Sequence, residues 1–216
     1  MDWGWIVDNA DLIGGLLVEH LWLSGIPVVA GLVVALVLGV LAHTYRWSYP
    51  PLLALAGVVY TIPSLALFIV MPLVLGTDVL DPLNIVVALT LYTSALLVRT
   101  VVDGLDAVPP AVRQAAVGMG YPALRRIVTV ELPIAIPVIV AGLRVVTVAN
   151  ISMVSVGALL GIGGLGELFT AGFQLRFFTE ILVGLVLSLL LAVAADALLV
   201  LAQRRATPWD RLGSTA

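Results

Sequence analysis

The chain has 216 residues, of which 62% are hydrophobic and 11% charged, with a formal net charge of −3 and a mean hydropathy of +1.18. Soluble domains hold about 45–50% apolar and about 25% charged residues, so this composition excludes an ordinary soluble fold and specifies an integral membrane protein. Cysteine and lysine are both absent, which excludes disulfides, thiolate metal sites, cysteine nucleophiles and a P-loop nucleotidase built on a Walker A lysine. The two histidines, His20 and His43, lie on different segments and do not suggest zinc. Nothing points to nucleic acid.

The N-terminal MDWGWIVDNADLIGG is acidic. It lacks the positive start of a signal peptide, so insertion is expected through the chain's own spans. Asp8, Asp11, Glu19 and His20 interrupt the apolar residues over 8–23, which predicts an interfacial amphipathic helix leading into the first span. A spanning helix needs about 20 mostly apolar residues. Five stretches qualify: 25–44, 52–75, 83–102, 134–156 and 178–202. The second contains Pro63 and Pro72; Thr61 and Ser64 are expected to bond backbone groups freed by a kink at Pro63. A tight turn with interfacial aromatics, RWSYPP at 46–51, separates spans one and two. A Gly-rich connection, 157–176, precedes span five. Its Gly161–Gly166 run formally matches G-x-G-x-x-G, but it follows a membrane span rather than a strand, so it reads as a tight or re-entrant turn.

Five spans put the two ends on opposite sides. Arg46, Arg113, Arg125, Arg126, Arg204, Arg205 and Arg211 share one side, whereas Arg176 alone lies on the other. By the positive-inside rule the N-terminus is outside and the tail is cytoplasmic. Asp2, Asp8, Asp11, Glu19, Asp78, Asp81, Glu167 and Glu180 gather outside. No internal repeat is apparent, which weighs against a single-chain secondary carrier built from inverted halves.

Between spans three and four runs the one long polar interruption, AVRQAAVGMGYPALRRIVTVELP, residues 111–133. Pro109-Pro110 opens it and Gly120-Tyr121-Pro122 breaks it, predicting two short helices, 111–119 and 123–130. Asp106 is expected just before the first, as an acid near a helix N-terminus. Ala111, Ala115, Ala116, Gly118 and Gly120 make one surface low enough for close approach by another protein; the alternative is a membrane-surface loop without a partner. Three charges fall inside spans. Arg99 can snorkel to the inner interface. Arg144 and Asp196 lie deeper, where an ionisable residue needs a partner, and Arg144 is expected to pair with Asp196 or Glu131. Tyr60, Thr61, Ser64, Tyr92, Thr93 and Asn150 either line a path or bind helices together; Tyr60 and Tyr92 suit a quaternary ammonium through cation–π contact.

Gln114, Ala115, Ala116, Gly120, Val130, Leu132 and Pro133 fall at the spacings of E-A-A, three residues, G, nine residues, I-x-L-P. This resembles the loop of permease subunits of binding-protein-dependent type I ABC importers, with Gln114 for the usual Glu and Val130 for the usual Ile. The resemblance implies that this loop (103–133) is a cytoplasmic coupling helix docked on an ATPase subunit. YTIPSLAL, VELPIAIPVIVAGLR and GIGGLGE resemble the glycine betaine and choline osmoprotectant subfamily. The chain is thus expected to be all-α: an outer segment 1–24, a permease domain 25–203 and a cytoplasmic tail 204–216. The implied protein is a non-catalytic, multi-pass permease of the bacterial cytoplasmic membrane, working by alternating access. Implied partners are ABC ATPase subunits, which would bind ATP and Mg, a second permease subunit (a copy or a relative), and an extracytoplasmic substrate-binding protein. The runner-up is a permease for methionine or another small amino acid; a secondary carrier is the alternative from another class.

Overall fold

The computed structural model describes residues 1–208, so Arg211 and the end of the expected tail lie outside it. Among the described residues every regular element is helical: α1 (Trp3–Asp8), α2 (Ala10–Thr44), α3 (Tyr49–Thr61), α4 (Ser64–Leu75), α5 (Leu83–Asp106), α6 (Pro110–Gly118), α7 (Ala123–Arg126), a π-helical turn (Ile127–Glu131), α8 (Leu132–Gly157), α9 (Gly166–Leu175) and α10 (Phe178–Ala206).

The expected interfacial helix and span one are a single helix, α2, 35 residues long with Pro27 inside it. α2 thus runs unbroken through Gly25-Ile26-Pro27, the same Gly-x-Pro spacing that ends a helix at Gly120-Tyr121-Pro122. At 1.5 Å per residue α2 is about 52 Å long, more than an upright crossing of a hydrocarbon core of about 30 Å needs. Only α1 is separate, capped by the Asp2 carboxylate accepting from the Trp5 amide.

Span two departs further from expectation. It is not one kinked helix but two half-helices, α3 and α4, bent by 104° across Ile62 and Pro63. Proline disfavours the helical region for the residue before it, and Ile62 is indeed extended, with φ −69° and ψ 128°. Thr61 donates to the Val58 carbonyl at 2.7 Å, as expected of a hydroxyl at a break. The Ile62 carbonyl is met by the Tyr92 hydroxyl from α5.

Helix directions follow from which residues meet. A Cβ added at Gly31 would lie 2.4 Å from Thr93, and one at Gly39 would lie 2.5 Å from Val101. Both numbers advance together, so α2 and α5 run parallel, and the chain must cross back through α3 and α4. Against α8 the order reverses: Asn150 meets Thr93, Gly142 meets Thr100, and Ala135 meets Gly104. At the far end the Asp2 amide reaches Thr179 at the start of α10. Among the described residues four helices are long and apolar enough to cross a membrane, or five crossings if the bent pair counts as one.

The core is a chain of apolar clusters between these helices. Ala35, Leu97, Val101, Leu105 and Ala135 fill the end that carries α6. Leu23, Phe68, Ile85, Leu89 and Val154 fill the middle. Leu16, Leu165, Leu168 and Val183 close the other end. The Gly-rich connection is a close-packed turn, as expected. A Cβ at Gly163 would meet Ala158 at 2.4 Å, and one at Gly166 would meet Ser155 at 2.6 Å.

Candidate functional site

The polar interruption folds at the end of the bundle where α2 and α5 finish. Pro110 fits the first turn of α6, where its missing amide costs nothing. Gly120 takes φ +80° after α6, its amide donating to the Val117 carbonyl at 2.9 Å. The second expected helix, 123–130, is not free-standing. It is α7, which passes through the π turn directly into α8.

The motif residues divide by exposure. Gln114, Ala115, Gly118 and Gly120 are exposed, while Ala116 is buried beneath them. A Cβ at Gly118 or Gly120 would meet nothing within 4 Å. α6 therefore presents a low surface with free space in front of it. Leu132 packs against the inner core cluster and Pro133 sits in the first turn of α8, so these two set the start of span four and not the exposed surface.

Beneath α6 lies a charge network. Glu131 is fully buried. Its Oε1 accepts from Arg126 Nε at 2.6 Å. Its Oε2 lies 3.3 Å from Arg113 Nε, an ion pair by distance, and 3.2 Å from His43 Nε2; neither contact has the alignment of a hydrogen bond. Arg113 also donates through Nη2 to the Leu105 carbonyl at 3.1 Å. His43, in the last turn of α2, sets its other ring nitrogen 2.8 Å from Asp106 Oδ1. Arg46 grips Asp106 with both terminal nitrogens, at 2.8 and 2.6 Å. A buried carboxylate is tolerated when cations and donors surround it, and here they come from α2, α6 and α7.

This network adds to one expectation. Asp106 was expected just before α6 as an acid near its N-terminus; it is the last residue of α5, four positions before Pro110, and its carboxylate is engaged by the Arg46 guanidinium and the His43 ring. His43, Arg46 and Asp106 were not grouped by sequence reasoning. The available signal was Glu131 itself, the single acid in an otherwise basic stretch, next to an apolar span.

The intramembrane charges separate as their depths suggest. Arg144 and Asp196 form a two-pronged pair between α8 and α10, with Nε–Oδ1 at 2.6 Å and Nη2–Oδ2 at 2.8 Å. Arg99 is exposed and reaches Asp103 at 3.6 Å. Among the polar span residues, Asn150 donates to Thr93 Oγ1 at 2.8 Å inside the core. That pair binds α8 to α5. Tyr60 and Tyr92 come together edge to face at the helix break, with centroids 6.1 Å apart. Tyr92 is buried, whereas Tyr60 is 51% exposed beside exposed Thr61 and Pro63, and Ser64 is partly covered.

No group of three or more His, Cys, Asp or Glu among the described residues is placed to hold a metal ion. The arrangement is one of charge pairs, a short exposed helix and a broken helix in a membrane bundle.

Comparison with known proteins agrees. The osmoprotectant import permease protein OsmW of Salmonella typhimurium is 35% identical over 198 residues, covering 90% of this chain and 92% of that protein. The glycine betaine/carnitine/choline transport system permease protein OpuCB of Bacillus subtilis is 32% identical over 190 residues, covering 88% and 86%. Among solved structures, the MetNI methionine ABC transporter in an inward-facing conformation matches with a TM-score of 0.78 at 22% identity, covering 88% of this chain and 94% of that one; at that identity it speaks for the fold alone. Residues 28–208 match the family described as binding-protein-dependent transport system inner membrane component. The chain is therefore a multi-pass inner-membrane protein and belongs to the family of inner-membrane permease components of binding-protein-dependent transport systems.

Proposed function

We propose that this chain is the permease subunit of an ATP-driven importer for a small osmoprotectant: glycine betaine, choline or a related quaternary amine. The single observation that carries the transport mechanism is α6. It is a short exposed helix with a low Ala/Gly surface, fastened by charge to the ends of the spanning helices and placed where a soluble ATPase could seat. The seven arginines on that side, against Arg176 opposite, favour a cytoplasmic location for α6, with the N-terminus outside. Gln114, Ala115, Ala116 and Gly120 form or underlie the docking surface. Hydrolysis, ATP and Mg belong to the partner ATPase; this chain shapes a pathway and transmits force. A second permease subunit and an extracytoplasmic binding protein complete the assembly.

The substrate class rests on the relatives' names and gains support from the helix break. Non-helical backbone at membrane depth is tolerated where it is buried in protein or lines a water-filled cavity. The break at Thr61–Ser64 is exposed on this chain, so it is suited to face the pathway between two subunits. Tyr60 there offers a ring face to a quaternary ammonium, a contact of about 0.5–2 kcal/mol depending on desolvation, with Tyr92 holding that ring in place.

The test is uptake of labelled glycine betaine and choline into proteoliposomes holding the chain with its co-purified ATPase and binding protein. ATP-dependent uptake of either is expected. ATP-dependent uptake of methionine alone would replace the substrate, and ion-driven uptake without an ATPase would overturn the mechanism.

A further inference from the structure

We infer that Glu131 is the residue that positions the coupling helix, by clamping Arg113 from below and joining it to the ends of α2 and α5. The inference rests on the docking role proposed for α6 and adds how movement of α6 reaches the spans. Little else fixes α6. Its single buried residue is Ala116. It is entered through Val108-Pro109 and left through a turn with Gly120 at φ +80°. A helix so lightly packed would rock at both junctions and absorb a push. Arg113 prevents this by gripping two separate elements, Glu131 and the Leu105 carbonyl at the end of α5.

Glu131 is equally constrained. The π turn Ile127–Glu131 sets it at the foot of α8, fully buried. Single π turns inside α-helices are frequent at functional sites. Its second oxygen is shared between Arg113 and His43. His43 passes the connection on to Asp106 and Arg46. One buried carboxylate thus ties α6 to the bases of α2, α5 and α8, and a displacement of α6 moves all three together.

The test uses the chain assembled with its ATPase in proteoliposomes, reading substrate moved per ATP hydrolysed. R113M is the deciding variant: Arg113 is partly exposed, and its loss leaves Glu131 still held by Arg126 and His43. R113M and E131Q should each lower the ratio by about tenfold, within the usual range for coupling between sites. The double variant should be no worse than the poorer single one. The chain is free of cysteine, so spin labels at V117C and D103C report the position of α6 against α5 directly. A narrow distance distribution in the parent should broaden in R113M. A wild-type ratio and an unbroadened distribution in R113M would overturn the inference. A parent complex without ATP-driven uptake would instead overturn the transport reading, and the label distances alone would then decide the positioning role.

Discussion

Arg144 and Asp196 show what a charge inside a span demands. Alone at membrane depth, either is costly and must find protein, water or an opposite charge. The two-pronged geometry satisfies both at once. R144L and D196L should each lower the thermal midpoint and the yield in detergent, because each strands the other's charge. The double variant R144L/D196L should recover much of the loss, since an ion pair replaced whole by apolar residues leaves nothing unpaired. Thermal unfolding followed by circular dichroism checks this; losses that simply add would mean that the pair is not a functional unit. The pairing was legible because a charge in an apolar run announces its need for a partner. The choice between Asp196 and Glu131 was not, because it depends on competition: Arg126, Arg113 and His43 already occupy Glu131. Asp106 illustrates the same limit: its place just before α6 was legible, but its pairing with Arg46, 60 residues away in sequence, was not.

Among the elements, the long apolar helices and the breaks at Pro109 and Gly120 followed from local chemistry. Propagation of α2 through Pro27 and the severity of the bend at Pro63 did not. The bend depends on which neighbour meets the exposed backbone, as Tyr92 does at Ile62. The α2–α5 contact was likewise hidden, since a glycine in a span reads the same whether it faces lipid or a helix. The structure separates the two cases. A Cβ at Gly39 would sit 2.5 Å from Val101, whereas one at Gly25 would meet nothing within 4 Å. G39V should therefore force these parallel helices apart and cost about 1–3 kcal/mol, the usual penalty for overfilling a packed contact. G25A should be neutral or slightly stabilising, since helical glycine gives up about 0.5–1 kcal/mol to alanine. Thermal midpoints in the same detergent decide it; equal effects of the two would refute the close approach.

For the whole molecule, the outward faces tell where it works and how its parts divide. Leu185, Val186, Leu189, Leu190, Val193 and Leu198 of α10 are exposed on this chain, a surface suited to lipid or a second subunit and not to water. α6 is the contrast, a small polar element held outside the bundle. Changes there should strike coupling and spare the fold. Gly120 adopts a left-handed conformation, φ +80°, with open space around it, so G120V adds backbone strain of about 1–3 kcal/mol and a bulky side chain at the proposed docking surface. Gly118 has the same open space without the unusual φ, so G118V adds the bulk alone. If α6 seats in an ATPase, G118V should leave the bundle's thermal midpoint unchanged and G120V should lower it by about 2–12 °C, as its strain implies, yet both should lose ATP-driven uptake and retain less ATPase on purification. If G120V fails while G118V transports normally, the strained turn matters and the surface does not, and the low Ala/Gly face would have to be reassigned as mere packing economy at a membrane edge.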